Sequence, residues 1–201
     1  MTQTPALNDS SFLPDVDPMF EQYLVDEPRL TYESPADGPL TRTFVRLLEG
    51  FLGRQKMEAH YQSLKGRQTD AKTFFREAFK LTNITIDGDM SPIANIPKNR
   101  PVLFIANHPF GVIDGLIMCN LALDYADDFQ VVINSLLCQD RDLVPHFLPI
   151  DFSETKEAAK RNVRTKQLAG KALDNGVPLI LFPSGMVSTA GAPGFGNVVD
   201  A

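Results

Sequence analysis

A short apolar run that ends in a histidine-containing turn is the sequence feature that most constrains this fold. Residues 102–106 are apolar and long enough for one buried strand, and His108 and Pro109 follow them. Because proline cannot donate a hydrogen bond to a sheet ladder, we expect the strand to end there. A second apolar run, residues 112–125, predicts a largely buried helix. A histidine is therefore expected where a strand is followed by a helix, a position at which α/β proteins usually carry their chemistry.

The rest of the chain alternates short apolar runs with longer segments of helical periodicity. Helices are predicted at residues 40–65, 70–81, 112–125 and 154–175. Strands are predicted at residues 83–87, 102–106, 130–134 and 177–182, and a short helix within 136–148. The pattern indicates an α/β fold with a mixed, largely parallel sheet flanked by helices on both faces. If the strands at 102–106 and 177–182 are parallel neighbours, the turns that follow them meet at one edge of the sheet.

Three regions of the chain differ in character. Residues 1–39 are rich in proline and acidic residues, which predicts an N-terminal arm without chemistry of its own. Residues 40–81 form a helical region whose first part has apolar residues at helical spacing among arginines. That part fits either a core-facing helix with a solvated basic side or a helix at a membrane interface. Residues 82–201 contain the predicted strands and form the expected catalytic domain.

Composition and charge exclude several classes of protein. A net charge of −6 argues against a nucleic-acid binder, which needs a basic surface. The start of the chain lacks the basic segment of a secretory signal, and no window has the roughly 18 apolar residues of a spanning helix. Two cysteines, Cys119 and Cys138, both in apolar surroundings, predict buried thiols and no disulfide or metal framework. We therefore expect a cytoplasmic protein that, if it acts on lipids, lies peripherally on the inner face of the membrane.

The residues around His108 allow two interpretations. A histidine near its ordinary pKa can take a proton from an attacking hydroxyl or amine, and Asp114, six positions later, can orient the imidazole. Alternatively, His108 only ends the strand, and Asp114 is an ordinary residue of a first helical turn. A contact between the two requires that residues 108–111 be non-helical and that the helix begin near Val112, because residues six apart on one helix point to different faces.

Two motifs resemble those of the glycerolipid and lysophospholipid acyltransferases, the superfamily of bacterial 1-acylglycerol-3-phosphate acyltransferase. The family has a His-x4-Asp motif, whereas here five residues separate His108 from Asp114. This longer form of the motif resembles that of a bacterial branch described as hemolysin-like. Residues 182–185, Phe-Pro-Ser-Gly, resemble the family's Phe-Pro-Glu-Gly motif, with serine in place of glutamate. The resemblance covers roughly residues 80–201.

The resemblance implies a reaction and a set of site residues. The reaction is transfer of a fatty acyl group from acyl-CoA or acyl carrier protein to a lysophospholipid or another lipid-like acceptor, without a cofactor or metal. His108 is the implied general base and Asp114 its orienting carboxylate. The implied acceptor-binding residues are Phe182, Pro183, Ser184 and Gly185. Candidates for the oxyanion-binding turn are Asn107 and Gly111.

The departures from the family pattern leave other functions open. Asp151 lies where the second family motif supplies an arginine for a phosphate group, and the nearest basic residues come later, within 154–175. With the longer first motif and the serine at 184, this favours as an alternative a catalytically inactive lipid-binding protein of the same fold. A serine hydrolase using Ser184 is disfavoured, because the Gly-x-Ser-x-Gly elbow is missing. In proteins of this kind more strands and helices follow the Phe-Pro-Glu-Gly motif, so we expect a truncated or incomplete chain.

Overall fold

The computed structural model of the protein describes residues 16–26, 59, 63, 70–98 and 100–185. Its helices are α1 (Ala71–Leu81), the short α2 (Ser91–Ala94), α3 (Val112–Tyr125) and α4 (Lys156–Asp174). Its strands are β1 (Leu103–Ile105), β2 (Gln130–Asn134), β3 (Phe147–Ile150) and β4 (Leu179–Leu181). Single 3-10 turns lie at Glu21–Tyr23, Ser135–Leu137 and Val144–His146. Of the predicted helix at 40–65, only residues 59 and 63 are described, and both are helical; the possible membrane-interface segment at 40–56 lies outside the described residues.

The four strands form one sheet in the order β1-β4-β2-β3, and every pairing in it is parallel. The connection through α3 crosses the sheet from β1 to β2, whereas the connection through α4 returns from β3 to β4. Because crossovers between parallel strands are right-handed in nearly all proteins, two crossovers in opposite directions place α3 and α4 on opposite faces. The predicted α/β class, with a largely parallel sheet and helices on both faces, is confirmed. The sheet was predicted to be mixed, but every pairing between the described strands is parallel.

The main core lies between the sheet, α3 and α1. Asp70 is the N-cap of α1. Its side chain accepts hydrogen bonds from the Thr73 amide at 2.9 Å and the Thr73 hydroxyl at 2.8 Å. The cap fixes the start of a helix that packs on α3. The buried cluster draws side chains from all these elements: Phe75, Leu116, Leu123, Phe129, Val131 and Ile180.

The observed strands differ from the predicted ones in two places. Residues 83–87 were predicted as a strand, but they pair with no strand among the described residues. Asn83, after the end of α1, has a left-handed φ of 51°, and the chain leaves the helix as a loop in which Ile84 and Ile86 are half-buried. Conversely, β3 was not predicted, because Pro149 lies within it. Proline is tolerated in β3 because this strand is an edge of the described sheet.

Part of the N-terminal arm packs on the sheet-containing part of the chain. We call residues 16–26 the N-terminal strap. Phe20 in its middle is only 4% exposed, and the Val25 amide donates to the Gln139 carbonyl at 3.1 Å. Arg164 on α4 pairs with Asp17 of the strap at 2.8 Å. The strap therefore docks through both an apolar anchor and polar contacts.

Candidate active site

The turns after β1 and β4 lie side by side, as the parallel pairing of these strands requires. In the register of the sheet Ile105 lies opposite Leu181, so the chain leaves both strands at the same edge. The turn after β1 carries His108, and the turn after β4 begins with Phe182. The two aromatic rings are in contact, with centroids 4.2 Å apart. The candidate site is thus assembled from two strand ends that are 74 residues apart in sequence, from 108 to 182.

The turn after β1 absorbs the additional residue of the first motif. Residues 108–111 are non-helical, and α3 begins at Val112, as the contact requires. Gly111 directly before the helix has φ 62° and ψ −123°, a conformation essentially restricted to glycine. The Phe110 amide donates to Asp114 Oδ2 at 2.7 Å and closes the turn. Asp114 therefore stabilises the turn as well as facing the histidine.

His108 and Asp114 are in contact, although the contact is loose. Their closest atoms, His108 Nδ1 and Asp114 Oδ2, are 3.3 Å apart, and the side chains are 16% and 11% exposed. The ring N–H is not aligned for a full hydrogen bond, so Nδ1 is a buried nitrogen without a partner among the described residues. Charge-assisted hydrogen bonds are typically about 2.7–2.9 Å long. Catalytic hydrogen bonds without substrate are often long and tighten in the reacting complex.

The surroundings of His108 favour its neutral form. Burial lowers the pKa of His108 below its ordinary value, and the nearby Asp114 carboxylate opposes that shift without cancelling it. At neutral pH the imidazole is therefore unprotonated and able to accept a proton. Because Nδ1 faces Asp114, the nitrogen available to a substrate is Nε2.

The turn after β4 contains the other predicted site residues. The Gly185 amide donates to the Phe182 carbonyl at 2.9 Å, and Gly185 has a φ of 64°. Pro183 is exposed and Ser184 is half-buried. Phe182 itself is 8% exposed and belongs to the core cluster. The structure thus brings residues 182–185 to the edge where His108 lies. Phe182 is buried in the core, and the other three residues are at least partly exposed in the turn.

Exposed aromatic and polar residues surround this edge. Asn107 precedes His108 and is exposed. Phe110 is 63% exposed although it is adjacent to a tightly hydrogen-bonded turn. Phe152, after β3, is also exposed, and its ring faces Gly185, where an added Cβ would lie 3.7 Å from it. The rim of the site is therefore partly apolar.

Asp151 forms a polar network that sequence reasoning missed. Asp151 Oδ2 accepts from Tyr23 Oη of the strap at 3.0 Å and from Arg161 Nη2 of α4 at 2.6 Å, while Oδ1 accepts from the Ser153 amide at 2.9 Å. Burial works against ionisation of Asp151, but the hydrogen bonds from Ser153 and Arg161 outweigh it and hold its pKa well below the usual carboxyl range. At Asp151, where the family motif has an arginine, this chain thus has a carboxylate that is paired with Arg161.

Two of the partners of Asp151, Arg161 and Tyr23, differ in whether the sequence could reveal them. Arg161 belongs to the basic run recognised in the sequence. No local pattern links Tyr23 to Asp151, which is 128 residues away.

Three other groups with possible chemical roles, His146, Cys119 and Cys138, are buried. His146 is buried, with Nδ1 3.1 Å from the Phe129 carbonyl oxygen, and burial lowers its pKa. Cys119 and Cys138 are free buried thiols, as predicted, and burial raises the pKa of each. Within the described ranges, no group of three potential metal ligands occurs, and no helix is both long and apolar enough to cross a bilayer.

Comparison with known proteins agrees with the chemistry of this edge. Residues 66–200 match the model of a family described as acyltransferase. Two curated relatives are lyso-glycine lipid O-acyltransferases, from Phocaeicola vulgatus and Bacteroides thetaiotaomicron, each 30% identical over 101 residues. The alignments cover 50% of this chain but 34% and 35% of the two relatives, so the match spans about a third of their length. No solved structure matches the chain.

Proposed function

This chain belongs to the acyltransferase family, and on that premise we propose that it transfers a fatty acyl group from acyl-CoA or acyl carrier protein to a lysophospholipid or another lipid-like acceptor. The observation that carries the proposal is the contact between His108 and Asp114 at an edge shared with residues 182–185. The names of the two curated relatives support a hydroxyl of a lysolipid as the group that is acylated. The partly apolar rim suits both an acyl donor and a lipid acceptor.

The proposed reaction is a direct transfer with His108 as general base. Nε2 of the neutral imidazole removes the proton of the acceptor hydroxyl, and the oxygen attacks the carbonyl carbon of the thioester. The tetrahedral intermediate collapses as the carbon–sulfur bond breaks, and the thiolate takes the proton from the imidazolium. The products are an ester and a free thiol. A positioned base of this kind contributes roughly 10²- to 10⁴-fold.

Asp114 and the beginning of α3 supply the electrostatics in this proposal. The Asp114 carboxylate stabilises the imidazolium that forms during attack. The oxyanion requires donors, and the first backbone amides of α3, which follow Gly111 and have no side-chain cap, are suitable. Asn107, exposed beside His108, is a second candidate donor. Ser184 shapes the acceptor side but does not supply the carboxylate of the usual family motif.

The test is incubation with palmitoyl-CoA, or with palmitoyl acyl carrier protein, and a panel of lysolipids that includes lyso-glycine lipid and lysophosphatidic acid. Mass spectrometry should detect a product heavier by one palmitoyl group and the release of free thiol. His108→Ala should lower the rate by at least about 10²-fold. His146→Gln, which alters a histidine packed in the core, serves as the control and should keep most of the activity if it folds. Binding of lysolipid without turnover by the wild-type protein would instead support an inactive lipid-binding protein.

A further inference from the structure

The imidazole of His108 stacks on the ring of Phe182. The two ring centroids are 4.2 Å apart, and the planes are inclined by only 25°. Phe182 follows β4 directly and is held by the core cluster, so its ring is fixed by the packing of the sheet. The imidazole therefore lies on a rigid aromatic face.

The contact with Asp114 alone does not fix the orientation of the imidazole. Nδ1 and Asp114 Oδ2 are 3.3 Å apart and poorly aligned, and Asp114 makes its shorter hydrogen bond, 2.7 Å, with the Phe110 amide. The χ2 torsion of histidine is intrinsically broad, so a loose hydrogen bond permits the ring to rotate. A stacked neighbour restricts the ring to one plane, because partial rotation would separate the two faces. Of the two orientations within that plane, which differ by 180°, the Asp114 carboxylate selects the one with Nδ1 toward it.

We infer that Phe182 is a positioning residue for His108, fixing the plane of the imidazole so that Nδ1 stays toward Asp114 and Nε2 stays available to the acceptor. This inference rests on the proposed role of His108 as general base. It gives Phe182 a role distinct from acceptor binding, which the resemblance to the family implied. The chemistry of the step is unchanged, since Phe182 acts only through His108.

The stack also affects the protonation of His108. It covers one face of the ring and adds to the burial that lowers the pKa of His108. Attraction between an imidazolium and an aromatic face acts in the opposite direction. Asp114 is the charged group that acts on His108 among the described residues, and residues 182–185 bring no charge. Burial is the largest influence on this pKa, so loss of the ring at position 182 should admit water to the imidazole and raise the pKa of His108 toward the ordinary value of about 6.5.

The experiment compares three variants. Phe182→Leu removes the stacking face, Phe182→Tyr keeps it, and Phe104→Leu removes a half-buried aromatic of β1 that packs on Tyr125. Circular dichroism establishes folding. The readouts are the pH profile of kcat/KM with the best lysolipid acceptor, and the proton NMR titration of the His108 ring, assigned by its loss in His108→Gln.

The expected result separates Phe182→Leu from the other two variants. Its kcat/KM should fall by about 10-fold or more, mainly through kcat, because a misplaced base costs rate more than binding. The pKa of His108 should rise in that variant only. Phe182→Tyr and Phe104→Leu should keep kcat/KM within about 3-fold. Equal losses in Phe182→Leu and Phe104→Leu, or unchanged kcat/KM and pKa in folded Phe182→Leu, would overturn the inference.

A measurement on the wild-type protein keeps the inference testable if Phe182→Leu does not fold. Protons of a ring stacked on a phenyl face are shifted upfield by its ring current, so the His108 ring protons should lie upfield of those of a free histidine. Unshifted His108 signals would overturn the inference. If the NMR results are as expected but the wild-type protein acylates no acceptor, the proposed function fails while the orientation of His108 by Phe182 is supported.

Discussion

Replacing Asp114 with asparagine removes the carboxylate charge while keeping the shape of the turn. In the native protein Asp114 Oδ2 accepts from the Phe110 amide at 2.7 Å, and the amide oxygen of asparagine can accept the same hydrogen bond. What is lost is the attraction between the carboxylate charge and a protonated His108, whose Nδ1 lies 3.3 Å away. The variant therefore separates the electrostatic role of Asp114 from its role in the turn.

The size of the effect follows from that distance. Two unit charges 3.3 Å apart attract by about 1 kcal/mol at the dielectric constant of water and about 5 kcal/mol at an effective dielectric constant of 20. With side chains 16% and 11% exposed, the pair lies between these limits. The imidazolium formed during proton transfer should thus lose about 3 kcal/mol of stabilisation, which corresponds to roughly 10²-fold in kcat.

The assay is steady-state acyl transfer from palmitoyl-CoA, followed from about pH 5 to pH 9. Because Asp114 raises the pKa of His108 against the effect of burial, Asp114→Asn should lower that pKa further. The acid limb of the kcat/KM profile should therefore move to lower pH while the plateau falls. A folded Asp114→Asn variant with kcat within about 3-fold of wild type would refute the electrostatic argument. Asp114→Ala should cost more, since it also leaves the Phe110 amide unpaired.

Three further predictions concern the turn and the strap. Gly111→Ala should destabilise the protein by about 1–3 kcal/mol and reduce acyl transfer, because φ 62° and ψ −123° strain any residue with a Cβ; urea denaturation and the transfer assay check this. Phe20→Ala should release the strap and make it the first site of limited proteolysis, whereas Met19→Ala, an exposed neighbour, should not. Asp151→Asn should destabilise by about 1–3 kcal/mol at neutral pH. The pKa of Asp151 is depressed in the folded state, so its contribution is present above the unfolded pKa of about 4 and is lost as the pH falls further; thermal denaturation should therefore show the two proteins converging at acid pH.

The parts of the fold that depend on local chemistry were predictable from sequence. The start of α3 at Val112 follows from Gly111 and Pro109, and β2 has the predicted bounds, because its apolar residues are continuous. β3 was missed because Pro149 is normally evidence against a strand, and only the finished sheet shows that this strand is an edge. The strand predicted at 83–87 was wrong because alternation alone does not supply a pairing partner.

In the candidate site, too, contacts between residues close in sequence were predictable, whereas contacts between distant residues were not. The contact between His108 and Asp114 was predicted on the condition that residues 108–111 be non-helical, and the structure meets that condition. The stack of His108 on Phe182 depends on β1 and β4 being neighbours, which sequence suggested but did not establish. The network around Asp151 joins residues from the strap, the end of β3 and α4, and side-chain contacts over such separations leave no local signal.

The docking of the strap has a consequence for the order of events during synthesis. The strap leaves the ribosome early, but the residue that pairs with its backbone, Gln139, follows Val25 by more than a hundred positions. At about 5–20 residues per second, that delay is roughly 6–23 s. During this time the strap lacks Gln139, and its partners Asp151 and Arg164 are synthesised later still. Docking of the strap must therefore wait until Gln139, Asp151 and Arg164 have been synthesised, by which time the turn that carries His108 has already emerged.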